Sequence, residues 1–207
     1  MDAIYPGTLC LHLYSAFDMI TYRWATQADA PFVAWGVCCA LHTHPTPEKL
    51  DFIARNVCSR GPEILYSYCN ALLAFDGEQP VGLCLCYDGE GYHERRLTTF
   101  ALFGEDSEAN DEEVQDMDLE NAEDETCAGE YYIDSLAVLP EYRGQGIARR
   151  LMQLHIEHAA NLGLPVATLL VDPDNPPALR LYESLGFRYH SDCYAFGMTF
   201  TKMALPV

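Results

Sequence analysis

The chain has 207 residues, about half of them apolar, with 31 acidic and 12 basic side chains and a net charge of −19. That length suits a single domain able to bury a core of its own. The absence of a basic stripe argues against a nucleic-acid partner, and no run of about 20 apolar residues offers a membrane span.

Met1 to Phe17 is apolar in places but has no basic leading stretch and carries Asp2, so residues 1–18 are expected to be a poorly ordered extension rather than a signal peptide. Ile20 to Trp24 reads as a first strand. Thr26, followed three residues on by Asp29, resembles a capping box that opens a helix from about Gln27 to Leu41. His42 and His44 have a spacing that can hold a metal, but no further ligand accompanies them. Thr46-Pro47-Glu48 starts a second helix, with proline at its first position, ending near Cys58. Ala71 to Phe75 and Pro80 to Tyr87 read as a hairpin turning at Asp76-Gly77-Glu78-Gln79. Tyr92, Arg95, Leu97 and Phe100 suit a short helix between Gly89 and Phe103. A solvated face is expected for its Tyr92, His93, Arg95 and Arg96, with acceptor binding as the weaker reading.

Between Glu105 and Glu125 lie twelve Asp or Glu and no Lys or Arg; without these twelve the net charge of −19 falls to −7. A solvated loop is the simplest reading, and an electrostatic lure for a cationic substrate the functional one. From Glu130 onward the pattern is regular. A strand from Tyr131 to Val138 precedes a turn at Pro140 to Tyr142. A helix from Gly144 to Leu162 follows, with Ile147, Leu151, Leu154, Ile156 and Ala159 at helical spacing. Next come a strand, Val166 to Val171, and a helix, Pro176 to Leu185, stopped by Gly186. Two strands, Phe187 to Cys193 and Phe196 to Met203, close the chain. The nine cysteines are odd in number, sit mostly in apolar segments and form no pair of Cys-x-x-Cys motifs. Reduced structural thiols in a cytoplasmic protein are expected, with no metal site.

The segment Arg143-Gly144-Gln145-Gly146-Ile147-Ala148 joins a strand to a helix. A helix start offers unpaired N–H groups and a favourable dipole for anions, and glycines there allow close backbone approach. A diphosphate is the natural ligand. A phosphate-binding Gly-Lys-Ser/Thr is missing. A dinucleotide fingerprint fits at Gly144 and Gly146, with Asp172 as a ribose-binding acid, but meets Arg149 at its third position.

The same segment matches the Q/R-x-x-G-x-G/A signature of the GNAT superfamily of N-acetyltransferases, which the chain resembles from about Ile20 to Leu205. Asn175-Pro-Pro-Ala178-Leu-Arg-Leu-Tyr182-Glu-Ser-Leu-Gly186-Phe187 is similar to that family's fourth helix and its exit, and Leu136 to Tyr142 to the strand and turn before the loop. The resemblance is strong from Glu130 to Phe187 and loose before it. It implies an α/β GNAT fold spanning residues 19–207: a central, mostly antiparallel sheet with splayed fourth and fifth strands and helices on both faces. The acidic stretch, residues 104–129, departs from the family's short turn between its third and fourth strands and implies an insertion beside the active site.

By resemblance the ligand is acetyl-CoA. The pyrophosphate falls to Arg143, Gly144, Gln145, Gly146, Ile147 and Ala148, the pantetheine to the backbone of Leu136, Ala137 and Val138, and the cofactor arm to Asn175, which can also cap its helix. Tyr182 matches the residue that protonates the departing thiolate. Glu130, Tyr132 and Asp134 share one strand face bordering the acceptor site, and Asp134 or Glu130 can serve as base. The implied reaction is direct acetyl transfer to a primary amine through a tetrahedral intermediate, without a metal. The acceptor is a small molecule or a peptide, with a cationic one favoured by the acidic insertion; the resemblance leaves a homodimer open. A GNAT-fold module that binds CoA without turnover, a longer acyl-CoA and an NAD-linked enzyme are the rival readings.

Overall fold

The computed structural model describes residues 20–41, 43–44, 46–104 and 123–207. The N-terminal extension, His42 and most of the acidic insertion lie outside these. Seven strands form one sheet: β1 (Thr21–Trp24), β2 (Ala71–Asp76), β3 (Gln79–Asp88), β4 (Glu130–Val138), β5 (Val166–Val171), β6 (Arg188–Ala195) and β7 (Met198–Pro206). Their order is β1-β2-β3-β4-β5-β7-β6. β4 and β5 run parallel, and every other neighbouring pair is antiparallel.

Helices α1 (Ala30–Ala40), α2 (Pro47–Ile53) and α3 (Tyr92–Phe103) cover one face of the sheet, where Val33, Val37 and Phe100 pack with Leu73, Leu83 and Leu85. Helices α4 (Ile147–Leu162) and α5 (Pro176–Leu185) cover the other, where Leu151 and Met152 meet Cys84, Tyr131 and Leu169. With both faces covered, the middle strands are buried on both sides, which is why β2 and β3 read as nearly continuous apolar runs.

Local chemistry sets the boundaries. Before α1 the chain first makes a 3₁₀ turn, Gln27–Asp29, closed by a Thr26 N–H bond to Asp29 (2.7 Å) and by Arg23, which grips the same carboxylate at 2.8 Å and 3.0 Å. α2 runs on into a single π turn, Ala54–Cys58, which completes the helix expected as far as Cys58. α4 begins at Ile147 rather than Gly144, because Gly144 (φ 76°) and Gly146 (φ 84°) take left-handed backbone that a helix cannot absorb. The last two strands lie slightly later than expected: Phe196 and Gly197, both with positive φ, form the hairpin turn between them.

The buried seam of α4 also differs from the apolar periodicity. It is Ile147, Leu151, Met152, His155 and Ala159. His155 is fully buried; its Nε2–H donates to the Cys84 carbonyl (3.0 Å) and its Nδ1 accepts from the Tyr131 hydroxyl (2.8 Å). Burial pulls its pKa down to about 4, so a neutral imidazole joins helix to sheet. Cys84 and Cys86 share this face, with sulfurs 3.5 Å apart, and lie beside His155 close enough for all three to be considered as metal ligands. Both imidazole nitrogens are already engaged, which favours a packed core. No helix among the described residues is long and apolar enough to cross a membrane.

Candidate active site

The site begins where β4 and β5 part. Their parallel pairing runs only from Glu130↔Val166 to Ile133↔Leu169. On its other edge β4 stays paired with β3, but Leu85 faces Ser135 while Cys86 faces Ile133, so Asp134 is the extra residue of a β-bulge. A bulge bends its strand and increases the local twist. From Asp134 to Val138 the β5-facing edge of β4 is therefore open. Leu136, Ala137 and Val138, expected to meet pantetheine, form this free edge.

β4 leads through a 3₁₀ turn, Pro140–Tyr142, into the glycine loop. Arg143 folds back so that its Nε–H donates to the Val138 carbonyl (3.1 Å), fastening the loop to the end of the open edge. The first helical bond of α4 runs from Arg150 N–H to Gly146 O (3.0 Å), which leaves the amides of Ile147, Ala148 and Arg149 unpaired within the helix. No atom lies within 4 Å of where a Cβ on Gly144 or Gly146 would sit. Their requirement is thus the left-handed φ, and the space above the loop is open. The Arg149 side chain instead bonds Ser184 and ties α4 to α5.

α5 starts at Asn175, whose Oδ1 caps the helix by accepting from Ala178 N–H (3.2 Å). One side of α5 carries Tyr182, half-buried against Phe187 with ring centroids 6.3 Å apart. Its hydroxyl makes no hydrogen bond to another described residue. Burial raises its pKa, and the nearby Cys84 and Cys86 add to the effect, so the phenol stays protonated at neutral pH.

The two candidate bases sit in different settings. Lys202 grips both oxygens of Glu130 at 3.0 Å and 2.8 Å, and Thr126 and Thr168 also donate to it. Burial alone would raise this carboxyl, but these partners outweigh it and hold Glu130 below the usual carboxylate range. Asp134 has no cationic partner among the described residues. It accepts from the Tyr87 hydroxyl and from Ser135 Oγ (2.7 Å). Burial, and then the nearby Glu125 carboxyl, push its pKa up to about 7.

The sequence from residue 30 to 187 matches the acetyltransferase (GNAT) family. The chain belongs to that family. A segment of 65 residues is 48% identical to mycothiol acetyltransferase of Thermomonospora curvata, covering 31% of this chain and 21% of that protein; the chain thus matches about a fifth of that relative's length. A crystal structure of an acetyltransferase superimposes with a TM-score of 0.69 at 26% identity, covering 90% of this chain and 99% of the other. The Salmonella typhimurium protein yncA, solved with its cofactor acetyl-CoA, aligns over 91% of this chain and 94% of its own with a TM-score of 0.54 at 19% identity, a likeness of fold.

Within this GNAT domain the sheet brings the expected loop, the open edge and Asp134 onto one strand-and-turn, β4 to α4. Glu130 lies on the same strand but in the paired half. Two contributors were invisible to sequence reasoning. Tyr87, at the end of β3, bonds Asp134 from 47 positions away. Glu125, from the end of the acidic stretch, is buried beside it. α3 was expected to show a solvated face, yet Tyr92 and Arg96 on it are buried. The reason is that residues 123–126, near the end of the acidic insertion, dock there and give Tyr92 and Arg96 polar partners. Alternating polarity signals a water-facing surface only where no polar chain covers it.

Proposed function

We propose that this GNAT domain is an acetyl-CoA-dependent N-acetyltransferase that transfers an acetyl group to a primary amine by direct attack through a tetrahedral intermediate. One observation carries the reading: a carboxyl poised near neutrality stands at the bulge where β4 leaves β5, at the head of a free strand edge that runs straight into a glycine loop. A strand edge with unpaired amides fits the amides of a pantetheine arm, and the open loop at the start of α4 fits a diphosphate. Acetyl-CoA supplies the thioester.

The chain's own groups do the rest. The amides of residues 144–148 hold the diphosphate, with Arg143 stiffening the loop. Leu136, Ala137 and Val138 align the arm, and an amide of that edge polarises the thioester carbonyl. Asn175 holds the start of α5 and contacts the arm. Asp134 takes the proton from the amine, and Tyr182 gives one to the thiolate as it departs. Holding amine and thioester together supplies much of the rate. Glu130, tied to Lys202, is a structural ion pair in this scheme. The setting is cytoplasmic, the acceptor a small molecule or peptide, and a cationic one is favoured.

The test is a thiol-release screen with acetyl-CoA across amine classes. Turnover with at least one amine is expected, with kcat/KM rising as the pH climbs through about 7, because the base must lose its proton. Binding of acetyl-CoA without thiol release above that of Tyr182→Phe would mean a silent CoA-binding module. Preference for NAD over CoA in a binding titration would end the proposal.

A further inference from the structure

Beside Asp134 lies a second carboxyl that the reaction scheme leaves unused. Glu125 is 7% exposed. Tyr92 donates to its Oε1 at 2.6 Å and Tyr132 to its Oε2 at 2.5 Å, while Tyr87 donates to Asp134. The three phenol rings form one cluster: Tyr87 lies 6.3 Å from Tyr92 and 5.8 Å from Tyr132, and Tyr92 lies 6.4 Å from Tyr132. The two carboxyls are thus gripped by neighbouring donors of a single assembly.

The segment that delivers Glu125 is fixed from several sides. Arg96 donates to the Glu123 carbonyl (2.8 Å) and reaches Asp124 (3.3 Å), which also meets His93 (3.1 Å). The Glu123 side chain accepts from the Tyr194 amide (3.0 Å) on β6, and Thr126 donates to Glu130 (2.9 Å). The Cys127 carbonyl lies only 2.1 Å from where a Cβ on Gly89 would stand, so a glycine is needed for this approach. The end of the acidic insertion is therefore clamped between α3, β3 and β6, with Glu125 and Thr126 buried.

We propose that Glu125 is a positioning residue of the acetyl-transfer site: its carboxyl, gripped by Tyr92 and Tyr132, fixes the tyrosine cluster whose third member, Tyr87, holds Asp134, and the two carboxyls titrate as a coupled pair. This inference rests on the assignment of Asp134 as base. Two carboxyls held by one cluster of neighbouring tyrosines, away from bulk water, cannot both ionise cheaply, so their titrations are coupled. The titratable and charged groups that act on it are Tyr66, Tyr87, Tyr92 and Tyr132, the Cys86 and Cys193 thiols, the Asp124 carboxyl and the Arg96 guanidinium. α1, which packs over β4, has no charged side chain. Burial raises Glu125 as well, but Tyr132, Tyr92 and Arg96 favour its anion, whereas Asp134 has only neutral donors. The first proton the pair takes up on acidification thus rests on Asp134. The pair keeps one negative charge, which suits a cationic amine, and the insertion gains a direct hold on the base.

Carbon-13 NMR of the Asp and Glu carboxyl carbons, followed through a pH titration of the full chain without substrate, reads the pair directly. In the wild type the Asp134 and Glu125 signals are expected to titrate together in two steps. In Glu125→Gln the Asp134 midpoint is expected to fall by roughly one pH unit, and the low-pH limb of kcat/KM to move with it. Independent single-step titration of the two wild-type carboxyls, which needs no variant to fold, would overturn the proposal. So would a Glu125→Gln enzyme with an unmoved midpoint that is merely slower at every pH. Full turnover by Asp134→Asn would sink the base assignment instead, and leave the titration of the pair standing as a separate result.

Discussion

The two ends of β4's open edge are built in opposite ways. At the Val138 end, the glycine loop and the first turn of α4, proposed here to take a diphosphate, are built almost wholly from backbone, within residues 143–149. At the Asp134 end, the proposed proton-handling centre is assembled from side chains of β3, α3, β4 and the end of the acidic insertion, with partners up to 47 positions apart. The first needs only the right φ angles at two glycines. The second needs burial, since a carboxyl and a phenol alter one another's acidity only where water is excluded. A binding loop of this kind tolerates change elsewhere in the molecule; a tuned carboxyl does not.

The sharpest way to break this comparison is to remove the base. Asp134→Asn is expected to lower kcat/KM by roughly 10²–10⁴-fold while leaving the affinity for acetyl-CoA intact, since general acid–base groups contribute on that scale. Steady-state kinetics paired with calorimetric CoA binding would show it, and a loss of binding instead would place Asp134 in the cofactor site. Tyr182→Phe should cost about 10²-fold in kcat, with little change in KM for the amine, because the phenol acts only as the thiolate departs. Rescue by an acyl donor with a more acidic leaving thiol would confirm its role, and equal losses with both donors would refute it.

Glu130→Gln separates the two carboxylates of β4. It leaves Lys202 without its counter-charge and is expected to cost about 2 kcal/mol of stability, the scale of a hydrogen bond to a charged group. The pH midpoint of kcat/KM should not move, and denaturant unfolding beside a pH–rate profile checks both halves. At the loop, Gly146→Ala forces a side chain into φ 84°. The strain, about 1–2 kcal/mol, should raise KM for acetyl-CoA by roughly tenfold or less and spare the pH profile. A shift of the profile would mean that the two ends are coupled.

Much of the fold could be read from the order of residues. Apolar periodicity placed the strands and helices to within a few residues, and the misplacements share a cause: Gly144, Gly146, Phe196 and Gly197 occupy left-handed backbone that ends elements sharply. The backbone of the glycine loop was equally legible, because a run of six consecutive residues contains its own geometry. His155 was missed because a histidine in a helical pattern looks like a solvent-facing residue until Tyr131 and the Cys84 carbonyl satisfy it.

The chemical half resisted that reading. Glu130 and Asp134 share a strand and a spacing, and by sequence they were equal candidates. They differ because Lys202 on β7 reaches the first, while the second, at the bulge, is held by Tyr87 and Ser135. What the sequence by itself determined is the sheet's composition, the loop's conformation and the family to which both belong, since these depend on residues near one another in the chain. What only the tertiary structure decided is which carboxyl is paired with a lysine and which meets only neutral donors among the described residues. Acidity is set by the burial and partners of a group, and those partners come from chain segments far apart in the sequence.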